Sequence, residues 1–456
     1  MSKQTFQLGN EPIKPLFFKM AIPIILGLIV GGLYNIVDAY FVTKGVNEFA
    51  MGGVSVVFPI QMAVFAIAGL IGAGTSSIVA RLLGAKDLEQ AQKTAMSGIW
   101  MALILSAVLI PVLLLFGAHF LANNVSDELR PYATDFLYPI IYSTPIIMLL
   151  SALNDLVRAE GKMQFLMLSI LLSSILNIIF DPIAIYVLDL GVMGVALATI
   201  LAQSISLALM LYFYLNNKTY VKLNFKIFDF SLERTVNIIS LGLPIFFSHF
   251  GIALMIFIVN LVLFSNLENS DHIISAYGLN GRLYMFFIFP MIGMTIAYQT
   301  ICGFNYGANQ FDRVKQSTNF AVIVTSIYCT VISVIMLSFA QPIFRLFSDD
   351  PMMIQEGIHI VKYSYLGFAV TGATGLFAIY FQAIGKALPA FLLSILKTYL
   401  LIIPGLLIVP IVFDVTKIWW VFPISDIITF VISLAFIAIA FKHLSVKSND
   451  QLSFSN

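Results

Sequence analysis

The sequence predicts an all-α integral membrane protein, with twelve transmembrane helices in two six-helix bundles, a 6+6 repeat around a central cavity. Three observations carry that expectation: an apolar composition divided into long uncharged spans, a lopsided distribution of basic residues, and an echo between the two halves of the chain. Of the 456 residues, 60% are hydrophobic and 10% are charged, and the mean hydropathy is +0.96. A soluble domain would be roughly 25% charged.

Reading from one charge to the next gives apolar spans near 17–43, 51–80, 94–117, 131–155, 163–187, 192–215, 234–264, 273–302, 316–341, 355–382, 388–413 and 418–441. Each is long enough for a helix to cross about 30 Å of hydrocarbon at 1.5 Å per residue. Barrel strands would instead alternate polar and apolar residues over about ten positions.

Net charge is +1, so bulk electrostatics points to no acidic partner and no nucleic acid. The placement of the charges says more. With loops numbered alternately from an inner N-terminus, seventeen Lys and Arg fall inside and four outside (Lys44, Arg130, Arg345 and Lys417). By the positive-inside rule both termini are cytoplasmic, on a multi-pass protein of the inner (cytoplasmic) membrane. The opening MSKQTFQLGNEPIK is polar and no A-x-A site follows, so no signal peptide is expected. Cys302 and Cys329 both fall within apolar spans and read as small hydrophobes rather than a disulfide.

The halves echo each other at an offset of 221–224 residues: AIPIIL at 21–26 with LGLPIFF at 241–247, GAKDLEQAQK at 84–93 with GANQFDRVKQ at 307–316, and AEGK at 159–162 with AIGK at 383–386. The expected organisation is therefore an N-terminal lobe over 1–215, a cytoplasmic linker over 216–233 and a C-terminal lobe over 234–456. An even number of helices per repeat keeps both halves in the same orientation, related by an axis along the membrane normal. That arrangement suits alternating access to a central cavity.

Two acids stand where acids are costly. Asp38 follows eighteen uncharged residues in the first span, and Asp181 lies inside the fifth. A carboxylate at the centre of a membrane helix costs about 2.5–3.5 kcal/mol on insertion scales, so it is retained mainly where it has a role. Tyr34 shares a helix face with Asp38, and Asn177 shares one with Asp181, because residues four apart lie one above the other. Thr199, returning on the sixth span, sits near the level of Asp181. Asp38, Asp181, Asn177 and Thr199 form a hard-oxygen set suited to Na⁺ or to a proton relay. Asn154, near the end of the fourth span, is a candidate for the same cavity, as is Tyr34. Pro23 removes a backbone bond from the first helix and is a candidate hinge.

The second half has no acid in its seventh helix, and Glu356 lies at the outer edge of the tenth. It carries Arg282, Lys362, Lys397 and Asp426 within or near its spans; Lys397 and Asp426 have comparable depth and are candidates to pair. No G-x-x-x-x-G-K-[ST] loop, H-E-x-x-H pair or G-x-S-x-G elbow occurs, which argues against ATP, zinc and serine-hydrolase chemistry. GLIGAGTSS at 69–77 reads as close helix packing.

AIPIIL…YNIVDAYFV, ARLLGAKDLEQA, RAEGK, NIIFDPIAIY with GVMGVALAT, and then YGLNGRL, FNYGANQ and AIGK occur in order along the chain. Together they resemble the MATE family (multidrug and toxic compound extrusion) over about residues 15–441. Within it, the chain is similar to the DinF-like branch.

The resemblance implies an antiporter, not an enzyme, that exports amphipathic or cationic compounds in exchange for H⁺ or Na⁺. It has no cofactor beyond the coupling ion, and acts as a monomer whose partners are small molecules and the bilayer. It also implies a cation site in the N-terminal lobe at Asp38, Asp181, Asn177 and Thr199, with Tyr34 and Asn154 near the substrate cavity. The other large bacterial branch uses acids on helices seven and ten that are missing here. The rival expectations are a flippase for a lipid-linked intermediate and, from another class, an intramembrane lipid-modifying enzyme.

Overall fold

The computed structural model describes residues 8–46, 48–125, 127–216, 218–223, 231–266, 270–346 and 351–454; the side chains of some helix residues, Arg282 and all of 445–454 among them, lie outside the described set. Among the described residues ten helices are long and apolar enough to cross a membrane, and two bent pairs, each counted as one span, raise the number to twelve.

In the first half, the first three spans are α1 (Ile13–Gly45), α2 (Glu48–Gly84) and α3 (Leu88–Asn124). Asp87 caps α3 by accepting the Gln90 N–H at 3.1 Å, which satisfies one of the unpaired amides of a helix start. The fourth span is α4 (Arg130–Tyr142) with α5 (Thr144–Ala159), bent by 53°. At that break Pro145 lacks an amide, and the Ser143 and Thr144 hydroxyls donate back to the Ile140 and Ile141 carbonyls at 2.8 and 2.7 Å. The fifth span is α6 (Met163–Pro182) running into a π-helical turn at Ile183–Val187, and the sixth is α7 (Gly191–Leu215).

In the second half, spans seven to nine are α8 (Leu232–Asn266), α9 (Ser270–Gly307) and α10 (Phe311–Arg345). The tenth is α11 (Pro351–Leu366) with α12 (Phe368–Ala383), bent by 44°. A side chain on Gly367, at this break, would collide with the Asp426 carboxylate, so the close approach requires glycine. The eleventh span is α13 (Ala387–Ile395), a π-helical segment at Leu396–Ile402 and α14 (Ile403–Val412); the twelfth is α15 (Val421–Phe454), led in by a 3-10 turn at Val415–Trp420.

The sequence echo is an echo of backbone geometry. Lys86 and Asn309, 223 residues apart, both take positive φ in the turn between two spans, as do Gly161 and Gly385, 224 apart. Each turn closes with the same pair of backbone hydrogen bonds: the positive-φ residue donates three residues back, and its successor donates five back. This is the helix-ending pattern that a left-handed residue permits. Both halves therefore break their fourth span and wind a π turn into their fifth, although the two π turns lie at different depths.

The chain packs as two compact units, Ile22–Phe246 and Gln7–Ala21 with Phe247–Asn456. This is a partition of packing, whereas the repeat is a partition of sequence. α1 changes unit between Ala21 and Ile22, two residues before Pro23, and α8 changes between Phe246 and Phe247, two residues after Pro244. In the first unit, α8 lies so close to α2 that a Cβ on Gly74 would strike the Ile238 carbonyl, and one on Gly242 the Leu70 carbonyl. The glycine-rich segment of the second span is thus a helix-packing surface, as its composition suggested. In the second unit, Arg313 donates to the Leu8 and Glu11 carbonyls at 3.1 and 2.8 Å, and the Phe17 and Phe320 rings meet edge-on at 5.5 Å.

Each unit has its own apolar core. One gathers Val42, Val57, Leu137, Ile141 and Val195. The other gathers Val259, Met336, Phe344, Tyr365 and Leu406.

A candidate cation site in the first half

Three spans bring four of the sequence-predicted residues together. Asp181 ends α6 immediately before Pro182 and is fully buried, and Asn177, one turn earlier, is 2% exposed. The Asn177 amide donates to Thr199 Oγ1 on α7 at 2.9 Å and to Asp181 Oδ1 at 3.4 Å. Thr199 in turn donates to the Val195 carbonyl at 3.1 Å. The threonine hydroxyl therefore spends its proton on its own helix and presents a lone pair to Asn177. This fixes the amide with its NH₂ toward Thr199 and Asp181, and its carbonyl oxygen free.

Asp38, on α1, reaches the same point. Its carboxyl group is in hydrogen-bond contact with that of Asp181. Three oxygens of the cluster, Asp38 Oδ1, Asp181 Oδ2 and Asn177 Oδ1, are buried and have no hydrogen-bond partner among the described residues. Buried acceptors left unpaired are costly, and here they sit within one group of side chains. Two ionised carboxylates in contact repel each other, and this arrangement could take up a proton or a cation that relieves the repulsion. The donor set is all oxygen and has two carboxylates. Among the described residues no group of three or more His, Cys, Asp or Glu occurs, so the set fits a monovalent hard cation or a proton better than a transition metal.

The other predicted residues lie elsewhere. Tyr34 is half-buried on α1, one turn before Asp38. Asn154 is half-buried on α5, and its Oδ1 is a further buried oxygen without a described partner; it makes no hydrogen bond to the acid cluster among the described residues. Pro23 lies inside α1, which is helical through it.

Two polar clusters escaped the sequence reading. Asp155 pairs with Arg158 at 2.7 Å, and Arg158 donates to Ser76 on α2 at 2.9 Å. The repeat-related positions in the second half are also bonded to each other, with the donor reversed: Gln299 Nε2 donates to Gln382 Oε1 at 3.0 Å. In the turn after α5, the wholly buried side chain of Glu160 accepts the consecutive N–H groups of Tyr220 and Val221 at 2.8 and 3.0 Å and pairs with Lys162 at 3.3 Å. Lys162 donates to the Lys218 carbonyl and lies 4.4 Å above the Tyr220 ring. Burial pushes the Glu160 carboxyl above its usual range, against the pull of Lys162 and the two amides. The motif AEGK is the signal that could have located this clamp on the inter-repeat linker.

In the second half, Lys397, in the π-helical segment, forms an ion pair with Asp426 on α15, and Thr371 on α12 donates to the same carboxylate at 3.3 Å. The expected pairing of Lys397 with Asp426 is therefore present.

Twelve membrane spans in two repeats, with a buried acid pair where three spans of one repeat meet, define a polytopic membrane transporter rather than an enzyme. The model of the MatE family matches residues 23–183 and 244–408, one block in each repeat, and the chain belongs to that family.

It is 26% identical to a multidrug export protein, MepA, of Staphylococcus haemolyticus over 426 residues, 93% of either chain. It is 23% identical to MepA of Staphylococcus aureus over 449 residues, 98% of either chain. Among solved structures, it superposes on a MOP superfamily transporter from Pyrococcus furiosus with a TM-score of 0.90 at 24% identity, covering 98% of this chain and 99% of that one. A MATE structure in the bent conformation gives a TM-score of 0.91 at 24% identity, covering 98% and 100%. These likenesses establish the twelve-span, two-lobe fold.

Proposed function

We propose that this chain is a cation-coupled multidrug exporter of the DinF-like branch, acting as a monomer in the cytoplasmic membrane with both termini inside. It moves amphipathic, often cationic compounds outward in exchange for H⁺ or Na⁺. The observation that carries the reading is the contact between Asp38 and Asp181 with three unpartnered oxygens around it. The likeness to the MepA multidrug export proteins supports the substrate class.

In this mechanism, the empty acid pair is unstable in a site closed to water. A proton or Na⁺ entering from outside relieves the repulsion between Asp38 and Asp181. The Asn177 carbonyl oxygen completes the shell, and Thr199 holds that amide in register. Asp38 is on α1 and Asp181 is on α6, so loading changes how strongly the two helices are tied. The change is free to bend α1 near Pro23, where a backbone hydrogen bond is missing. Ion and drug are exchanged because each stabilises a different arrangement of the same bundle, through a coupling free energy of about 1–3 kcal/mol, or 5–150-fold in affinity. Tyr34 and Asn154 are assigned to the substrate cavity.

The test is ethidium efflux from proteoliposomes under imposed pH or Na⁺ gradients, comparing wild type with Asp38→Asn and Asp181→Asn. Both variants are expected to lose gradient-driven efflux by tenfold or more; full efflux by both would sink the mechanism. Lipid translocation by wild type with no ethidium efflux would favour the flippase. That rival favours a more basic cavity, for which Arg282 and Lys397 are the candidate bases; of these, Lys397 is paired with Asp426.

A further inference from the structure

Where α8 ends and α9 begins, the second unit contains a cavity of about 450 Å³. Its walls include Leu263 near the end of α8, Ile273 near the start of α9, Glu356, His359 and Lys362 on α11, and Trp419 in the 3-10 turn before α15. The volume is in the range of small-molecule sites, which are mostly apolar with a few placed polar groups. Trp419 is 2% exposed and fixed by the Tyr277 and Phe422 rings at 5.6 and 6.1 Å, so that wall is rigid.

The charges decide the ligand. Glu356 and Lys362 are opposite in sign and both line the cavity, yet they do not pair with each other. The Glu356 side chain has no hydrogen bond or ion pair with any other described residue, and the Lys362 ammonium lies 5.9 Å from the Tyr363 ring. Six positions along a helix separate them by about 9 Å of rise, too far for a direct contact without both side chains bending toward each other. A molecule that satisfies both must place a positive group at Glu356 and a negative group at Lys362, and is therefore zwitterionic.

Position adds a second constraint. The cavity lies at the ends of membrane spans, beside a run of rings in which His359 meets Tyr363 at 5.0 Å and Tyr363 meets Trp420 at 4.9 Å. Aromatic residues collect at the height of the lipid headgroups. The apolar walls at Leu263 and Ile273 suit the uncharged remainder of such a molecule.

We propose that this cavity binds the headgroup of a zwitterionic phospholipid, with its ammonium on Glu356, its phosphate on Lys362 and its glycerol end against Leu263 and Ile273. The site is separate from the acid cluster of the first half and does not depend on what the protein exports. Such a lipid would hold the ends of α8, α9 and α11 together with the turn before α15 at the membrane surface.

The test uses purified full-length protein equilibrated with equal amounts of phosphatidylethanolamine, phosphatidylcholine and phosphatidylglycerol, delipidated in steps and weighed intact by native mass spectrometry. Wild type is expected to retain the two zwitterionic lipids over the anionic one. Glu356→Gln should reduce that preference roughly fivefold, the scale of one exposed charge contact, whereas Lys362→Gln should lower retention of all three lipids, because each carries the phosphate. Equal retention of phosphatidylglycerol by wild type, an unchanged preference in Glu356→Gln, or unchanged retention of all three lipids in Lys362→Gln overturns the proposal.

The chain has three tryptophans, so Trp100→Phe with Trp420→Phe leaves Trp419 as the sole reporter. Its fluorescence should shift with short-chain phosphatidylethanolamine and not with soluble phosphoethanolamine at the same concentration. An equal response to the soluble compound would make the site one for a free zwitterion and overturn the lipid assignment. Both glutamine variants change partly exposed positions, and their gel-filtration profiles check that they fold.

Discussion

Asp38 and Glu160 are both carboxylates withdrawn from water, and they show opposite solutions to the same problem. Glu160 is satisfied by protein: two backbone amides and an ammonium surround it. Asp38 and Asp181 are left with unpaired oxygens, as the proposed cation site requires. Removing Glu160 should therefore cost stability locally. Glu160→Ala strands the Tyr220 and Val221 amides and leaves Lys162 unpaired, and breaking a buried ion pair from one side costs about 3–5 kcal/mol. The expected outcome is faster tryptic cleavage after Lys218 or Lys222, read as half-length fragments on a gel. Cleavage at the wild-type rate would show that the clamp does not hold the linker.

The same contrast explains what was legible at this scale. Asp38, Asp181, Asn177 and Thr199 stand out in the sequence because polar groups within apolar text are expensive. Glu160 and Asp155 lie beside Arg158 and Lys162 at a span end, where charges are ordinary, so nothing in the text marks them as buried.

At the scale of the element, the number and length of the spans follow from uncharged text, because a helix must cross the hydrocarbon with its backbone bonds internally satisfied. The breaks do not. The fourth and tenth spans read as continuous apolar runs, yet both bend, one at Ser143 beside Pro145 and the other at Gly367. The eleventh span winds into a π segment without a proline at its start, and π turns concentrate at functional sites.

That segment is tied to its neighbours by Lys397. The pair with Asp426 links the eleventh span to the twelfth, and Thr371 adds the tenth. The depth of the two charges made their pairing readable, whereas Thr371 and the glycine that makes room for Asp426 required the structure. Removing one partner of a buried pair is costly, while replacing both by apolar residues of similar volume is often neutral. Thus Asp426→Leu alone should lower the unfolding midpoint in detergent markedly, and Lys397→Met with Asp426→Leu should recover most of the loss. An equal or larger loss in the double variant would mean that the charges specify the local fold rather than merely neutralise each other.

At the scale of the whole molecule, the repeat and the orientation make one joint prediction. Six spans per repeat return the chain to the side on which it began, so the linker and both termini share a face. The basic residues choose which face: Lys218 and Lys222 of the linker belong to the seventeen assigned inside, and Lys417 belongs to the four outside. Each basic residue near a span end adds to the cost of moving that loop across the membrane, so the imbalance predicts an orientation with the linker and both termini inside.

The background for a labelling test is low, since Cys302 and Cys329 are both buried. Lys222→Cys and Thr416→Cys can be introduced singly and treated, in intact cells, with a maleimide that does not cross membranes. Cysteine at 416 is expected to react from outside. Cysteine at 222 should react only after the cells are opened. The reverse pattern would invert the topology and place the coupling gradient on the wrong side of Asp38 and Asp181. Labelling of both sites from outside would break the even-numbered repeat itself, because residues 222 and 416 flank the seventh to eleventh spans, an odd number of crossings that must put them on opposite faces.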